Sequence, residues 1–124
     1  MTIGDMNDHE RRRADRDRLH NAPPDAGVIL VRHRATGRLV VAPVENLAAA
    51  RNRFDLAIST RSGGALPDLR LAEDVRTHGF DGLGFEVLES VEVEPGTTTA
   101  ALRADLAVLA ELWRERLGIA NLQG

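Results

Sequence analysis

Few residues of this chain could carry acid–base or metal chemistry. The sequence contains no cysteine and no tyrosine, which excludes disulfides, thiolate nucleophiles and cysteine-bound metals. His33 and His78 are candidate general bases, although both positions favour a plain surface or half-buried histidine. Glu73 and Asp74 form a carboxylate pair, but adjacent residues of a helix point about 100° apart and cannot easily share a metal ion. Gly63-Gly64 is too short to form a phosphate-cradling loop.

Arginine supplies all the strongly basic side chains, and its distribution is uneven. Residues 27–61 contain six arginines against Glu45 and Asp55, a net charge of +4, in a chain whose net charge is −3. Residues 62–124 contain five arginines against eleven acids, a net charge of −6. This asymmetry favours a nucleic-acid-binding surface, and an ordinary mixed surface is the alternative. The candidate contact residues are Arg32, Arg34, Arg38, Arg51 and Arg53.

The segment 26–46, which carries three of these arginines, predicts a β-hairpin. Two short runs rich in valine and isoleucine, residues 28–31 and 39–44, are typical of buried strands. Thr36-Gly37 between them supplies the residues of a tight turn. The alternating apolar residues of 85–91 predict a third strand with one buried face.

Three helices are predicted beside these strands. Asn46 is the expected N-cap of the first, and Pro67 suits the first position of the second, with Gly79 just past its end. In the last helix, leucines and a tryptophan recur at spacings of three or four residues, which predicts a buried stripe. Its members are Leu102, Leu106, Leu109, Trp113 and Leu117.

The fold class that follows is α+β, with a small three-stranded antiparallel sheet, made of the hairpin and a later strand, flanked by helices. The length of 124 residues is enough for one domain with its own core. We divide the chain into a charged N-terminal helix or extension at 1–22, the domain at 23–118 and a tail at 119–124. No apolar run approaches the ~20 residues of a membrane span, so a cytoplasmic protein without membrane partners is expected.

These segments, in this order, resemble the GIY-YIG nuclease superfamily, and most closely its short bacterial members with an extra N-terminal helix. The Gly-Ile-Tyr strand of that family falls on Gly27-Val28-Ile29, and its Tyr-Ile-Gly strand falls on Val40-Val41-Ala42. Its Phe-Glu-Val-Leu-Glu strand is identical to residues 85–89. Further matches are Gly37-Arg38, Asn46-Leu47, Leu71, Glu73-Asp74, Gly79 and Trp113. The resemblance spans nearly the whole chain and implies the same α+β fold.

The chain departs from the family at every position that carries its chemistry. The family uses two tyrosines near the attacking oxygen, an arginine on the phosphate and a glutamate on a single divalent metal ion. The aligned positions hold residues that can neither transfer a proton nor bind a metal ion: Ile29, Val40, Ala50 and Ala110. The possible substitutes are Arg51 and His33 for the catalytic groups and Glu111 for the metal ligand.

The resemblance and the departures together predict a degenerate GIY-YIG-like domain that binds DNA or RNA through the five arginines and does not cleave it. One alternative is a protein-interaction or structural domain that keeps only the fold. The other is a metal-dependent endonuclease with a rebuilt active site. No cofactor is expected, and Mg²⁺ or Mn²⁺ is implied only if nuclease activity survives.

Overall fold

The computed structural model describes residues 24–119, and the predicted helix or extension at 1–22 lies outside them. The strands are β1 (Ala26–His33), β2 (Arg38–Val44) and β3 (Leu83–Val91), and the helices are α1 (Leu47–Thr60), α2 (Leu69–His78) and α3 (Thr99–Leu117). A short 3-10 turn, Gly63–Ala65, lies between α1 and α2. The strands form one antiparallel sheet in the order β2-β1-β3, which confirms the predicted α+β class.

The central strand β1 is buried on both of its faces. Only Arg32 among its eight residues is exposed. Because side chains alternate along a strand, Ile29 and Val31 pack towards α1 and α2, whereas Val28 and Leu30 pack towards α3. The sheet is therefore the middle of three layers, with an apolar cluster on each side.

The hairpin turn lies where the sequence predicts it, and a buried histidine adjoins it. Gly37 has a φ of +73°, and its N–H donates a 2.9 Å hydrogen bond to the carbonyl oxygen of His33. His33 has no exposed surface, so the expectation of a surface or half-buried histidine is wrong. The reason is the register of β1, because His33 continues the inward-facing row of Ile29 and Val31.

Polar side chains cap all three helices. Asn46 caps α1 as predicted, and Thr98 caps α3, each by accepting a backbone N–H from three residues further on. α2 begins at Leu69 with Asp68 as its N-cap, so the prediction of Pro67 as the first helical residue is wrong. The Asp68 carboxylate accepts a backbone N–H of the first turn, which the leucine before Pro67 could not do.

β3 contributes to the apolar clusters on both faces, so the prediction of a single buried face is wrong. A β-bulge leaves Leu88 without a partner residue on β1. Because of this extra residue, alternate side chains after the bulge point to the opposite face of the sheet from those before it. Phe85 therefore packs on the α1 side of the sheet, and Val91 packs on the α3 side beside Leu102.

α3 covers the face of the sheet opposite α1 and α2. Leu106 and Ala110 are buried, and Trp113 is half-buried against the strands, with its indole N–H donating to Glu89 Oε1 at 2.8 Å. Leu117 is 39% exposed, so its place in the predicted stripe is wrong. Two successive spacings of four residues rotate this position away from the sheet by about 40° each, because four residues exceed one helical turn.

Replacing Trp113 with alanine should lower the free energy of unfolding by about 2–4 kcal/mol, because packing is lost and Glu89 loses a hydrogen-bond donor. Trp113→Phe keeps the ring and should lose roughly 1–2 kcal/mol. Urea unfolding followed by circular dichroism measures both values. Leu117→Ala is the control and should stay within about 0.5 kcal/mol. Equal losses at the two positions would contradict the described packing of α3.

Replacing Gly27 with alanine should destabilise the domain by more than about 2 kcal/mol, because the added Cβ would overlap the carbonyl oxygen of Glu89 on β3. The measurement is the midpoint of thermal unfolding. Gly64→Ala is the matched control, since a Cβ there meets no atom within 4 Å. A Gly27→Ala protein as stable as Gly64→Ala would show that β1 and β3 are further apart at this point.

Candidate functional site

The structure divides the four positions aligned with the family's active site between the two faces of the sheet. Ile29, Val40 and Ala50 lie in the apolar cluster beneath α1 and α2, and none of them is more than 8% exposed. Ala110 is buried in the cluster beneath α3. Because the sheet separates these clusters, the aligned metal position does not share a site with the other three.

The two helical substitutes, Arg51 and Glu111, are also on opposite sides of the sheet. The Arg51 side chain lies on the α1 side, 5.2 Å above the ring centre of Phe85, and pairs with Asp55. Glu111 lies on α3 and pairs with Arg114, whose guanidinium also donates to a backbone carbonyl of β2. The structure therefore does not bring Arg51 and Glu111 into one site.

His33, the third possible substitute, has both ring nitrogens engaged. Nε2 lies 3.0 Å from the carbonyl oxygen of Gly79, and Nδ1 lies 3.2 Å from the backbone N–H of Ala35. Because that N–H needs an acceptor, the neutral ring carries its proton on Nε2 and donates it to Gly79. The imidazole thus ties the end of β1 to the end of α2, and neither nitrogen is free to act as a general base.

The two adjacent carboxylates of α2 have different surroundings. Asp74 is buried, and Arg38 contacts both of its oxygens, with Nε to Oδ2 at 2.6 Å. The hydroxyl of Thr36 also donates to Oδ2, at 3.2 Å. These donors, Arg38 above all, hold the pKa of Asp74 below its ordinary value despite the opposing effect of burial. Glu73 points outward and pairs with Arg76.

No metal centre is evident among residues 24–119. Nowhere in that range do three or more histidine, aspartate or glutamate side chains come together as a metal site requires. The carboxylate that sequence reasoning singles out, Asp74, is already occupied by Arg38 and Thr36.

The five arginines proposed for nucleic acid do not form one patch. Arg38 is paired with Asp74, and Arg32, on the α3 side of the sheet, lies 3.7 Å from Glu86. Arg51 and Arg53 are on α1, across the sheet from Arg32. Within residues 24–119, the side chains of Arg34 and Arg53 have no hydrogen-bond or ion-pair partner.

A cavity of about 200 Å³ opens between α1, the sheet and the loop that follows the 3-10 turn, and we call it the α1 pocket. Two of its lining residues, Ile29 and Ala50, are aligned with catalytic positions of the family. Its principal lining residues are Ile29, Ala50, Arg53, Phe54, Leu66 and Phe85. A larger outer cavity of about 580 Å³ adjoins it and shares Val44, Ala50 and Arg53 with it.

Sequence reasoning missed the α1 pocket, although it named Arg53. Arg53 is the only charged residue among those that line this pocket. The signal available in the sequence was the apolar character of Ile29 and Ala50, which are aligned with polar catalytic residues of the family that the chain resembles. The contribution of Leu66 was not predictable, since it depends on how the connecting loop folds back onto α1.

Comparison with known proteins gives no match for this chain among protein-family models, curated proteins or solved structures. The resemblance to the GIY-YIG superfamily therefore rests on the residues quoted above. None of the helices within residues 24–119 has the length and apolar character to cross a membrane.

Replacing Asp74 with asparagine should lower the free energy of unfolding at pH 7 by about 1–3 kcal/mol, because Arg38 loses its charged partner. The pKa of Asp74 is lower in the folded chain than its ordinary value, so its contribution is full above about pH 4 and disappears as the pH falls through the folded pKa. The difference in melting temperature between the two proteins should therefore shrink in acid.

Thermal unfolding from pH 2 to pH 7 measures this difference, with Glu73→Gln as the matched control. Glu73 is exposed, and its loss should change stability by no more than about 0.5 kcal/mol. If the difference in melting temperature between the wild type and Asp74→Asn stays constant down to pH 2, the carboxylate charge does not stabilise the fold.

Proposed function

We propose that this domain is a GIY-YIG-like module that binds DNA or RNA in the cytoplasm and does not cleave it. The observation that carries the proposal is the conversion of the aligned catalytic positions into apolar core beside two accessible arginines of α1, Arg51 and Arg53. Charge attraction to phosphates would then supply the affinity.

The lack of cleavage follows from the side chains that surround the aligned positions. Phosphodiester hydrolysis needs a group that deprotonates the attacking oxygen and a cation or donor that stabilises the developing charge. Ile29, Val40 and Ala50 offer no such group. His33 uses both nitrogens within the fold, and Glu111 lies across the sheet.

Arg51 and Arg53 are both exposed on α1 and available to phosphates, whereas Arg34, which also has no partner within residues 24–119, lies in the hairpin turn. The pair between Arg51 and Asp55 is an exposed pair within one helix, and such pairs contribute only about 0.3–0.5 kcal/mol. A phosphate can therefore replace Asp55 at little loss. Arg53 has no partner within residues 24–119 and needs no exchange. Arg38, by contrast, would have to leave the buried Asp74.

A different observation favours the second candidate, a protein-interaction domain. On the outer side of α3, Val108 is 60% exposed and Leu112 is 48% exposed, next to Ala104. Apolar side chains one helical turn apart are unusual on a face that meets only water. The third candidate, an endonuclease with a rebuilt site, gains no support because Arg51 and Glu111 are separated by the sheet.

Replacing both Arg51 and Arg53 with alanine should weaken binding to a fluorescein-labelled oligonucleotide and lower the slope of log K against log salt by up to about 2. Fluorescence anisotropy of single- and double-stranded DNA at low salt measures both quantities. A denaturing gel of the same samples, with Mg²⁺, Mn²⁺ or a chelator, measures cleavage, and none is expected.

The matched control is the double variant Arg76→Ala/Arg116→Ala, which removes the same charge from α2 and α3. It should keep a larger share of the wild-type affinity and salt slope. Equal losses in the two double variants would reject the α1 arginines as the contact surface. If the wild type does not bind DNA, the protein-interaction domain becomes the favoured function. If it cleaves DNA only in the presence of a metal ion, the endonuclease becomes the favoured function.

A further inference from the structure

The α1 pocket has the size of a small-ligand site. A cavity of about 150 Å³ lined by leucine, isoleucine and phenylalanine can hold one benzene molecule. At about 200 Å³, the α1 pocket has room for an apolar group of about eight carbon atoms. The aromatic rings of Phe54 and Phe85, 5.2 Å apart between their centres, form part of its wall.

We infer that the α1 pocket binds a carboxylate ligand whose apolar body of about eight carbon atoms enters the pocket and whose carboxylate is bound by Arg53. This inference goes beyond the proposed function, which needs phosphate contacts on α1 but no cavity. Both would use Arg53, so the ligand and nucleic acid would compete for that guanidinium.

The side chains that line the α1 pocket favour an apolar group over a nucleobase. Apart from Arg53, the side chains that line the α1 pocket are aliphatic, aromatic or absent, and none carries a hydrogen-bonding atom. A nucleobase would enter with several donors and acceptors that these side chains cannot satisfy, which opposes its burial. A hydrocarbon chain or phenyl ring loses nothing by entering.

The charge at the entrance selects a carboxylate. Two other charged residues, Glu45 and Arg103, line the adjoining outer cavity, and they pair with each other. Arg53 is thus the one unpaired cation that residues 24–119 place at the two cavities. A single guanidinium neutralises a carboxylate and matches its two oxygens with a pair of N–H donors, whereas a phosphate monoester, with a charge of about −1.5 to −2, would keep uncompensated charge.

Isothermal titration calorimetry of the full chain with octanoate and with octan-1-ol tests this inference. Octanoate should bind at least about tenfold more tightly than the alcohol, because only the carboxylate carries a charge opposite to that of Arg53 and can accept two of its N–H donors at once. Arg53→Gln should abolish that preference, because it weakens the binding of octanoate and leaves the binding of octan-1-ol unchanged. Arg76→Gln, on α2, is the matched control and should bind both compounds as the wild type does.

The pocket itself is tested with Ala65→Leu, which adds volume to a half-buried lining residue at the end of the 3-10 turn. This variant should weaken the binding of octanoate and the binding of octan-1-ol alike, by at least about fivefold. Thermal unfolding followed by circular dichroism confirms that Ala65→Leu is folded. If Ala65→Leu does not fold, Leu66→Ala, which enlarges the cavity, is measured in its place. No heat of octanoate binding, or equal binding of acid and alcohol, overturns the inference without affecting the DNA titration.

Discussion

The burial of β1 on both faces is the constraint on which the rest of the structure depends. A strand with apolar side chains on both sides has to be covered by a layer on each side, and α1 with α2 supplies one layer while α3 supplies the other. The same burial makes Gly27 necessary, because β3 passes too close at that residue for any Cβ. It also divides the buried apolar side chains of β1 between the two faces of the sheet.

A second set of contacts fixes the end of the hairpin against α2. His33 donates to the carbonyl oxygen of Gly79, and Arg38 and Thr36 bind Asp74 on the same helix. These residues are among the polar groups that suggest chemistry when the sequence is considered alone. Buried polar groups need partners, and here each finds one within the fold. These contacts account for the residue types, because they connect β1 and β2 to α2.

The sequence predicts most of the fold and only part of the candidate site. Local patterns were sufficient for the hairpin turn at Gly37 and the cap at Asn46, because each depends on residues close in sequence. The phase change at Leu88 and the burial of His33 depend on pairing between strands distant in sequence, which no local pattern shows. The GIY-YIG resemblance and the proposed binding function stay predictions, since sequence similarity and geometry alone do not determine activity.

The apolar residues at the aligned positions have a consequence for the space beneath α1. A tyrosine or arginine at these positions would place polar atoms near the centre of the α1 side, and those atoms would require water or a phosphate. Ile29 and Ala50 require neither, so the space beneath α1 becomes apolar while Arg53 keeps a charge at its edge. An apolar cavity with one unpaired cation favours affinity for amphipathic anions over reactivity, because it offers burial and one charge but no proton transfer. Ile29 and Ala50 therefore offer no catalytic group and at the same time line an apolar binding pocket.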